Sequence, residues 1–300
     1  MKIGFAIPAM GSWATPGNQV RIARRAEELG YHSVWTLQRL LNPADQADET
    51  YRNPLDPLIS LAYVAGQTER IRLGAAVVNM PFFSPVLLAK QLTTVDILSG
   101  GRLDAGLGLG WMREEFAASG VPYERRGARA EEFIHVLRAL WTQEITEFSG
   151  SFYQVPPSRM DPKPLQAPHP PILLGGAAEP SLRRAGRLAD GWVSASRADI
   201  AHIDEPIGIV KAAAREAGRD PERLRFVCRG VTRPGKAGQP DRRPLSGSYE
   251  EIRGDLDGLA ARGVTEVFFD LNFGLRTGAA STNPGEAMRY AEEALEALAP

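Results

Sequence analysis

With 300 residues, of which 43% are hydrophobic, the chain is long enough to bury a large core, either as one barrel or as two smaller domains. Its 35 basic and 36 acidic residues leave a formal net charge of -1, which gives no bulk attraction to nucleic acid or to an anionic membrane surface. The single cysteine, Cys228, excludes an internal disulfide, and the four histidines are too scattered for a metal site. Neither a signal-peptide pattern nor a membrane-length apolar run occurs, so we expect a soluble cytoplasmic protein.

Short apolar runs alternate with segments of helical periodicity along the whole chain. The runs predict strands at 2–8, 32–37, 71–78, within 100–111, and at 172–176, 191–195, 224–231 and 264–271. The periodic segments predict helices at 18–30 (with Asn18 as N-cap), 54–68, 86–98, 127–141, from about 180, and at 205–218, 249–262 and 284–298. Eight strand and helix pairs in sequence are typical of a closed parallel barrel, so we predict one (β/α)8 domain spanning residues 1–300.

Extra segments are predicted after strands two, four and seven. The irregular stretch 42–53 follows strand two and is a candidate lid. After strand four come a short helix with a turn at 113–123 and a small hairpin around 148–153. Residues 234–248 follow strand seven and predict either a mobile substrate-gating loop or a plain surface loop. The proline-rich stretch 156–171 resembles a linker, but the strand at 172–176 follows it directly and indicates a continuing domain.

Glycines alternate along the fourth predicted strand, at Gly106, Gly108 and Gly110, with a leucine between each pair. Alternation places the glycines on one face of the strand and the leucines on the other. The bare face either relieves crowding inside a barrel or lets a flat ligand approach the backbone closely. A dinucleotide fingerprint is excluded, because the position where its next glycine should fall is Trp111.

The active site of such a barrel lies at the carboxyl ends of its strands. No Ser-His-Asp set, carboxylate pair or histidine cluster falls there, and Asp270 is the only nearby carboxylate. We therefore expect the reactivity to come from an organic cofactor. Gly175 and Gly176, placed before a predicted helix, are suited to hold a phosphate, although glycines at such turns are also common for steric reasons. Together with the glycine face they favour a phosphorylated flavin or deazaflavin.

A series of motifs in fixed order carries a family resemblance: LGYHSVW at 29–35, TERIRLG at 68–74, LSGGR at 98–102, GLGW at 108–111, EEF at 114–116, KP at 163–164, ILLGG at 172–176 and ADGW at 189–192. With them the chain resembles the luciferase-like monooxygenase superfamily, and more closely its branch that uses the deazaflavin coenzyme F420. The resemblance implies a bacterial luciferase-like TIM barrel in which the reduced cofactor lies over strands three to six and exchanges a hydride at ring carbon C5. It also implies a non-prolyl cis peptide at Ala76–Val77.

Site residues follow from the strand ends and from the resemblance together. The predicted cofactor-binding residues are Ala76, Val77, Asn79, Gly108, Leu109, Gly110, Gly175, Gly176, Arg39 and Arg197, and the predicted catalytic residues are Gln38 and Trp111. Gln38 stands where many relatives have an aspartate, and its amide forms hydrogen bonds but cannot act as a general base. Trp111 is expected to wall the substrate side of the ring, with an ordinary core position as the alternative. Arg39 and Arg197 either meet the anionic cofactor tail or are simply solvated. Valine at Gly108 or Gly110 is expected to leave a folded barrel without cofactor affinity.

The leading functional hypothesis is an F420-dependent oxidoreductase that transfers a hydride between the reduced deazaflavin and a small organic substrate. The alternatives are an FMN-dependent monooxygenase that activates oxygen, and a catalytically silent barrel that binds a cofactor or another small ligand. We expect no nucleic-acid or membrane partner. Because members of the resembled family are commonly dimers, a homodimer is expected.

Overall fold

A computed structural model describes residues 1–44, 51, 53–274, 276–277 and 282–300. Its strands are β1 (Lys2–Ala6), β2 (Ser33–Thr36), β3 (Arg72–Ala75), β4 (Val78–Asn79), β5 (Leu103–Gly108), β6 (Thr146–Ser149), β7 (Gln154–Ser158), β8 (Ile172–Gly175), β9 (Gly191–Val193), β10 (Arg225–Val231), β11 (Arg233–Pro234), β12 (Ser246–Gly247) and β13 (Glu266–Asp270). Its helices are α1 (Pro16–Glu28), α2 (Pro57–Ala65), α3 (Pro85–Leu98), α4 (Arg113–Ala118), α5 (Arg126–Thr142), α6 (Glu179–Leu188), α7 (Asp204–Glu216), α8 (Tyr249–Ala261) and α9 (Pro284–Ala297).

Eight strands form a closed parallel barrel with the order β1, β2, β3, β5, β8, β9, β10, β13. Closure is complete because β13 pairs with β1 and because Leu73 on β3 pairs with Leu103 on β5. The short strand β4 continues β3 and also pairs with β5. All eight predicted strands and the (β/α)8 fold are therefore confirmed. The main hydrophobic core lies between the outer face of the barrel and the helices.

Helix starts follow a recurrent sequence pattern in which a capping residue precedes a proline. The pairs are Thr15-Pro16, Asp56-Pro57, Ser84-Pro85 and Asn283-Pro284. Proline suits the first helical position because its missing N–H would have no partner there. The prediction of Asn18 as the N-cap of α1 was wrong: Thr15 is the cap, and its Oγ1 accepts a hydrogen bond from the N–H of Asn18.

Glycines inside the barrel make room for one large aromatic pair. Trp35 stacks on Phe268 with ring centroids 5.0 Å apart, and a Cβ on Gly74 would lie 2.5 Å from the Trp35 ring. A Cβ on Gly106 would lie 1.7 Å from the carbonyl oxygen of Ala75. The packing alternative is therefore correct for Gly106, because the backbone of β3, and not a ligand, fills the space beside it.

A balanced network of four charged side chains occupies the amino-terminal end of the barrel, away from the strand ends that face the candidate site. Asp104 is buried and accepts hydrogen bonds from both Arg72 and Arg225, with shortest distances of 2.6 Å. Arg225 also pairs with Glu266 at 2.8 Å. Each carboxylate in the network therefore has a guanidinium partner, as the burial of charged groups requires.

Two of the predicted insertions have defined structure. The segment around 148–153 is the turn of the antiparallel hairpin formed by β6 and β7, as predicted. The loop after β10 contains the paired strands β11 and β12. Arg242 in this loop forms an ion pair of 2.7 Å with Asp255 on α8. Residues 45–50 and 52 of the candidate lid lie outside the described residues. Within the described ranges no helix is long and apolar enough to cross a membrane, and no group of side chains suits a metal ion.

Candidate active site

A cleft with a volume of about 570 Å³ opens at the carboxyl ends of the barrel strands. It is where the barrel fold places active sites. Every predicted site residue except Arg197 lines it. Arg197 is exposed and lies outside the lining. The strand ends thus bring together residues from the regions of β2, β3, β5 and β8, which are far apart in sequence.

Arginine dominates the ionisable side chains of the cleft. Among the described lining residues the ionisable ones are Arg39, Arg125, Arg126, Arg184, Arg229 and Tyr51. No carboxylate, histidine, lysine or cysteine is found in this described lining. Asp270 lies beside the cleft but is fully buried and pairs with Arg229 at 2.7 Å, so it is not a free base. The cleft itself therefore offers cations and hydrogen-bond donors, and not an acid-base pair.

The floor of the cleft contains a bulge between β3 and β4. The Ala76–Val77 peptide is cis, as the resemblance implies. Glycines on two neighbouring strands receive the Val77 side chain: a Cβ on Gly108 would lie 2.3 Å from Val77 Cγ2, and one on Gly175 would lie 2.9 Å from Val77 Cγ1. Gly108 and Gly175 therefore shape the cleft by seating Val77, which itself lines the cavity.

Gly110 has a different role from Gly108, because its φ of +71° is a conformation that side chains rarely adopt. It turns the chain from β5 toward α4, against Phe82 and Phe116. Valine at Gly110 would strain the backbone whether or not a ligand binds, so a loss of cofactor affinity in that variant would not by itself show that Gly110 contacts the cofactor. Gly110 does not continue the alternating faces of the strand, because the strand ends at Gly108 and the turn begins beyond it.

Gln38 follows β2 and holds the bulge in place. Its Oε1 accepts a hydrogen bond of 2.7 Å from the N–H of Asn79 on β4. Its Nε2 is buried and has no partner among the described residues. The glutamine thus supplies the acceptor that a carboxylate would supply at this place, and adds a donor that a carboxylate lacks.

Arg39 is buried by a stack of aromatic side chains at the cleft mouth. Its guanidinium lies 4.5 Å from the ring centroid of Tyr51 and 4.7 Å from that of Trp111. Its Nη1 donates to Glu115 at 2.8 Å, and the other carboxylate oxygen of Glu115 accepts the N–H of Leu40. Glu115 already compensates the charge of Arg39. Trp111 is 56% exposed, which excludes the core alternative for this side chain.

A second cationic region lies where β8 leads into α6. Gly176 has a φ of +138°, and a Cβ there would meet Ser181 at 2.6 Å. Arg184, on α6, is 6% exposed, and its Nε contacts Glu131 at 3.3 Å. Burial lowers the pKa of the Arg184 guanidinium, and Glu131 opposes this effect. The first turn of a helix presents unpaired N–H groups, so this region is suited to an anion.

Arg125, Arg126 and Arg184 are lining residues that the sequence interpretation missed. Arg125 and Arg126 stand at the start of α5, which packs beside α6. A signal for Arg184 was present, because it stands two turns beyond the glycine pair on a helix whose start was predicted. No comparable pattern marks Arg125 and Arg126, since the cleft is completed by a helix of another barrel unit.

The family model described as luciferase-like monooxygenase matches residues 1–236. The chain belongs to the luciferase-like monooxygenase family. An uncharacterized protein of Mycobacterium tuberculosis is 41% identical to it over 211 residues, which are 66% of this chain and 74% of that protein. The FMNH2-dependent dimethylsulfone monooxygenase of Pseudomonas putida is 33% identical over 210 residues, which are 69% of this chain and 56% of that enzyme.

Two solved structures share the whole fold of this chain. The monooxygenase RslO1 of Streptomyces bottropensis superposes with a TM-score of 0.80 at 25% identity, covering 99% of this chain and 98% of that one. The coenzyme F420-dependent tetrahydromethanopterin reductase of Methanopyrus kandleri superposes with a TM-score of 0.79 at 16% identity, covering 99% and 97%. Members of this family are oxidoreductases and monooxygenases, and the neighbours of this chain include both F420-dependent and FMN-dependent proteins.

Proposed function

We propose that this chain is an oxidoreductase that binds reduced coenzyme F420 in the cleft and transfers a hydride between it and a small organic substrate. The observation that carries the proposal is the buried Arg184 beside the Gly176 turn, in a cleft whose described lining has no carboxylate or histidine. Its ion pair with Glu131 is 3.3 Å long, and Glu131 also pairs with Arg187 at 2.6 Å, so the charge of Arg184 is only partly compensated. Such a cleft needs a redox group from outside the protein, and it offers an anion site to hold one. When bound, the deazaflavin supplies the hydride chemistry.

The residues of the cleft fit this cofactor. Arg184, Arg125 and Arg126, with the start of α6, would hold its phosphate and the carboxylates of its tail. Val77, seated against Gly108, would support the ring, and the unpaired Nε2 of Gln38 would donate to one of its acceptors. Three guanidinium groups exceed what the single phosphate of FMN needs, which favours the more anionic coenzyme. Arg39 and Arg197 are not required for the tail in this proposal.

An FMN-dependent monooxygenase is the second candidate. It is favoured by one observation, the 33% identity to an enzyme named as an FMNH2-dependent monooxygenase. Both candidates use the same cleft, the same anion site and the same Val77 floor. They differ in the reaction, since the monooxygenase would activate oxygen and the F420 enzyme would not.

Titration of the purified protein with each cofactor, followed by fluorescence, separates the two candidates. We expect saturable micromolar binding of coenzyme F420, and binding of FMN that is weaker by at least about tenfold, or about 1.4 kcal/mol. Micromolar binding of FMN with no binding of coenzyme F420 would reject the F420 assignment. If F420 binds but is neither oxidised nor reduced with any carbonyl, enone or alcohol substrate, and Gln38→Asp restores turnover, the catalytically silent alternative is favoured.

We also propose that the chain forms a homodimer through α2 and the start of α3. Helix α2 contains no charged residue, yet Ile59 and Tyr63 on it are 73% and 48% exposed. Val86 and Leu87 extend the exposed apolar surface onto α3. A helix that is apolar all round is normally buried, and an uncharged patch is complementary to a second copy of itself.

Ile59→Glu tests this dimer. We expect wild-type protein to sediment as a dimer and Ile59→Glu to sediment as a monomer, because the substitution places two buried charges across a two-fold axis. Ile145→Glu is the matched control, since Ile145 is 53% exposed outside the proposed interface. A wild-type monomer, or a dimer that Ile59→Glu leaves intact, contradicts the proposal.

A further inference from the structure

Arg229 is a buried cation on β10 that the proposed cofactor site does not use. It is 8% exposed and lines the cleft. Its Nε donates to Asp270 at 2.7 Å, and its Nη1 donates to the carbonyl oxygen of Ala76 at 2.8 Å. A guanidinium has five N–H groups, so further donors of Arg229 have no partner among the described residues.

Asp270, the counter-ion of Arg229, also accepts hydrogen bonds from a second residue. Asp270 accepts two hydrogen bonds from Asn272, one from the backbone N–H at 3.0 Å and one from Nδ2 at 2.9 Å. Asn272 in turn bonds the backbone of Ile7 and Ala9 at the end of β1. Asp270 is therefore fixed in one orientation, with Oδ2 toward Arg229, and the guanidinium is held rigidly beside the Ala76–Val77 bulge.

A series of aromatic side chains leads from the cleft mouth to Arg229. Trp111 and Tyr51 have ring centroids 6.5 Å apart, and Tyr51 and Phe273 have centroids 5.7 Å apart. The guanidinium of Arg229 lies 4.7 Å from the ring centroid of Phe273. Tyr51 and Trp111 line the cleft, and Phe273, which lies outside the lining, connects them to Arg229. An aromatic part of the lining therefore lies near a cation, which suits a flat organic molecule with an oxygen at its inner end.

We propose that Arg229 binds a carbonyl or carboxylate oxygen of the substrate, and that the substrate is a planar aromatic or conjugated molecule. This inference rests on the proposed function for the reaction, but the binding of the oxygen does not depend on the cofactor. In the reduction of a carbonyl, the bound cofactor would supply a hydride to the carbonyl carbon, the π electron pair would move to the oxygen, and water would supply the proton. The fixed guanidinium would stabilise the negative charge that develops on that oxygen.

Benzoate is a suitable probe, because it joins a flat ring to a carboxylate. We expect saturable millimolar binding of benzoate to the apoprotein and to the cofactor-loaded protein, measured by calorimetry. The variant Arg229→Met/Asp270→Asn removes the cation without leaving an unpaired carboxylate, and we expect it to bind benzoate at least about tenfold more weakly. Asp270→Asn alone should bind benzoate more tightly than wild type, because Arg229 then lacks its counter-ion.

The expected effects of the double variant and of Asp270→Asn on benzoate affinity have opposite signs, which separates a binding role from a structural one. A purely structural pair would lose stability in both variants and change benzoate affinity in neither, and that result overturns the proposal. Absence of saturable benzoate binding to wild-type protein also overturns it. Cofactor titration of Asp270→Asn, which keeps the hydrogen bond from Arg229 to Ala76, should match wild type within about twofold. A large loss in this variant would assign the pair of Arg229 and Asp270 to the cofactor instead. Failure of cofactor binding to wild type would reject the proposed function while leaving the benzoate result in the apoprotein interpretable.

Discussion

Replacing Asp104 by alanine is expected to lower the free energy of unfolding by about 3 kcal/mol, because it leaves the partly buried guanidinium of Arg72 without its carboxylate and that of Arg225 with Glu266 alone. Asp104 is fully buried between Arg72 and Arg225. Burial alone would raise the pKa of this carboxyl, but Arg225 and Arg72 outweigh that effect and hold the pKa below its usual range. The stabilisation is therefore present near neutral pH and is lost as the pH falls through the lowered pKa.

Urea denaturation of Asp104→Ala at neutral pH provides the measurement, with Glu144→Ala as the matched control. Glu144 pairs with Arg159 on the surface, where their side chains are 79% and 56% exposed, so the control should lose no more than about 1 kcal/mol. Because Asp104 lies at the end of the barrel away from the cleft, folded Asp104→Ala should retain its cofactor affinity. Equal destabilisation by the two variants would show that the buried network adds nothing beyond an exposed pair.

Gly108→Ala is expected to weaken cofactor binding by about tenfold or more by displacing Val77, and Val77→Ala should relieve the conflict in the double variant. The added Cβ would lie 2.3 Å from Val77 Cγ2, a separation that requires the valine to move. Removing the two γ-carbons of Val77 frees that space but also leaves a smaller floor. The single variant Val77→Ala should therefore weaken binding modestly, and adding Gly108→Ala to it should cost little more.

The double-mutant cycle on cofactor affinity tests this coupling. Gly17→Ala serves as the control, because a Cβ at Gly17 meets nothing within 4 Å and the site lies on α1. Additive effects of Gly108→Ala and Val77→Ala would contradict the seating of Val77 by Gly108. Full affinity of Gly108→Ala would show that the barrel absorbs the extra methyl group without moving the floor.

The order of strands and helices could be predicted from the sequence because each element carries its own period and its own turn residues. The position of the site followed from the fold, since strand ends converge at one face whatever the side chains are. Gly108 illustrates what could not be predicted. Its alternation with leucine was visible, but only the three-dimensional structure shows that Val77, from the bulge between β3 and β4, fills the space beside it.

Charged residues were the hardest to assign from sequence. Arg39 follows a strand, as expected of a tail-binding residue, yet its charge is compensated by Glu115 across a long stretch of sequence. Arg184 lies within a helix, and its position after the glycine pair is its only local mark; the structure adds that it is buried beside the glycine turn. Burial and pairing decide what an arginine can bind, and both depend on contacts between elements that no local pattern encodes.

The central claim is that the Arg184 region holds the anionic tail of a reduced cofactor, and parallel titration of wild type and Arg184→Met with coenzyme F420 tests it most directly. Charge-assisted hydrogen bonds contribute about 1.5–3 kcal/mol each, so we expect micromolar affinity in wild type and a loss of about 10-fold to 100-fold in Arg184→Met. Equal affinity of the two proteins for coenzyme F420, or no saturable binding of either coenzyme F420 or FMN to wild type, would contradict the claim.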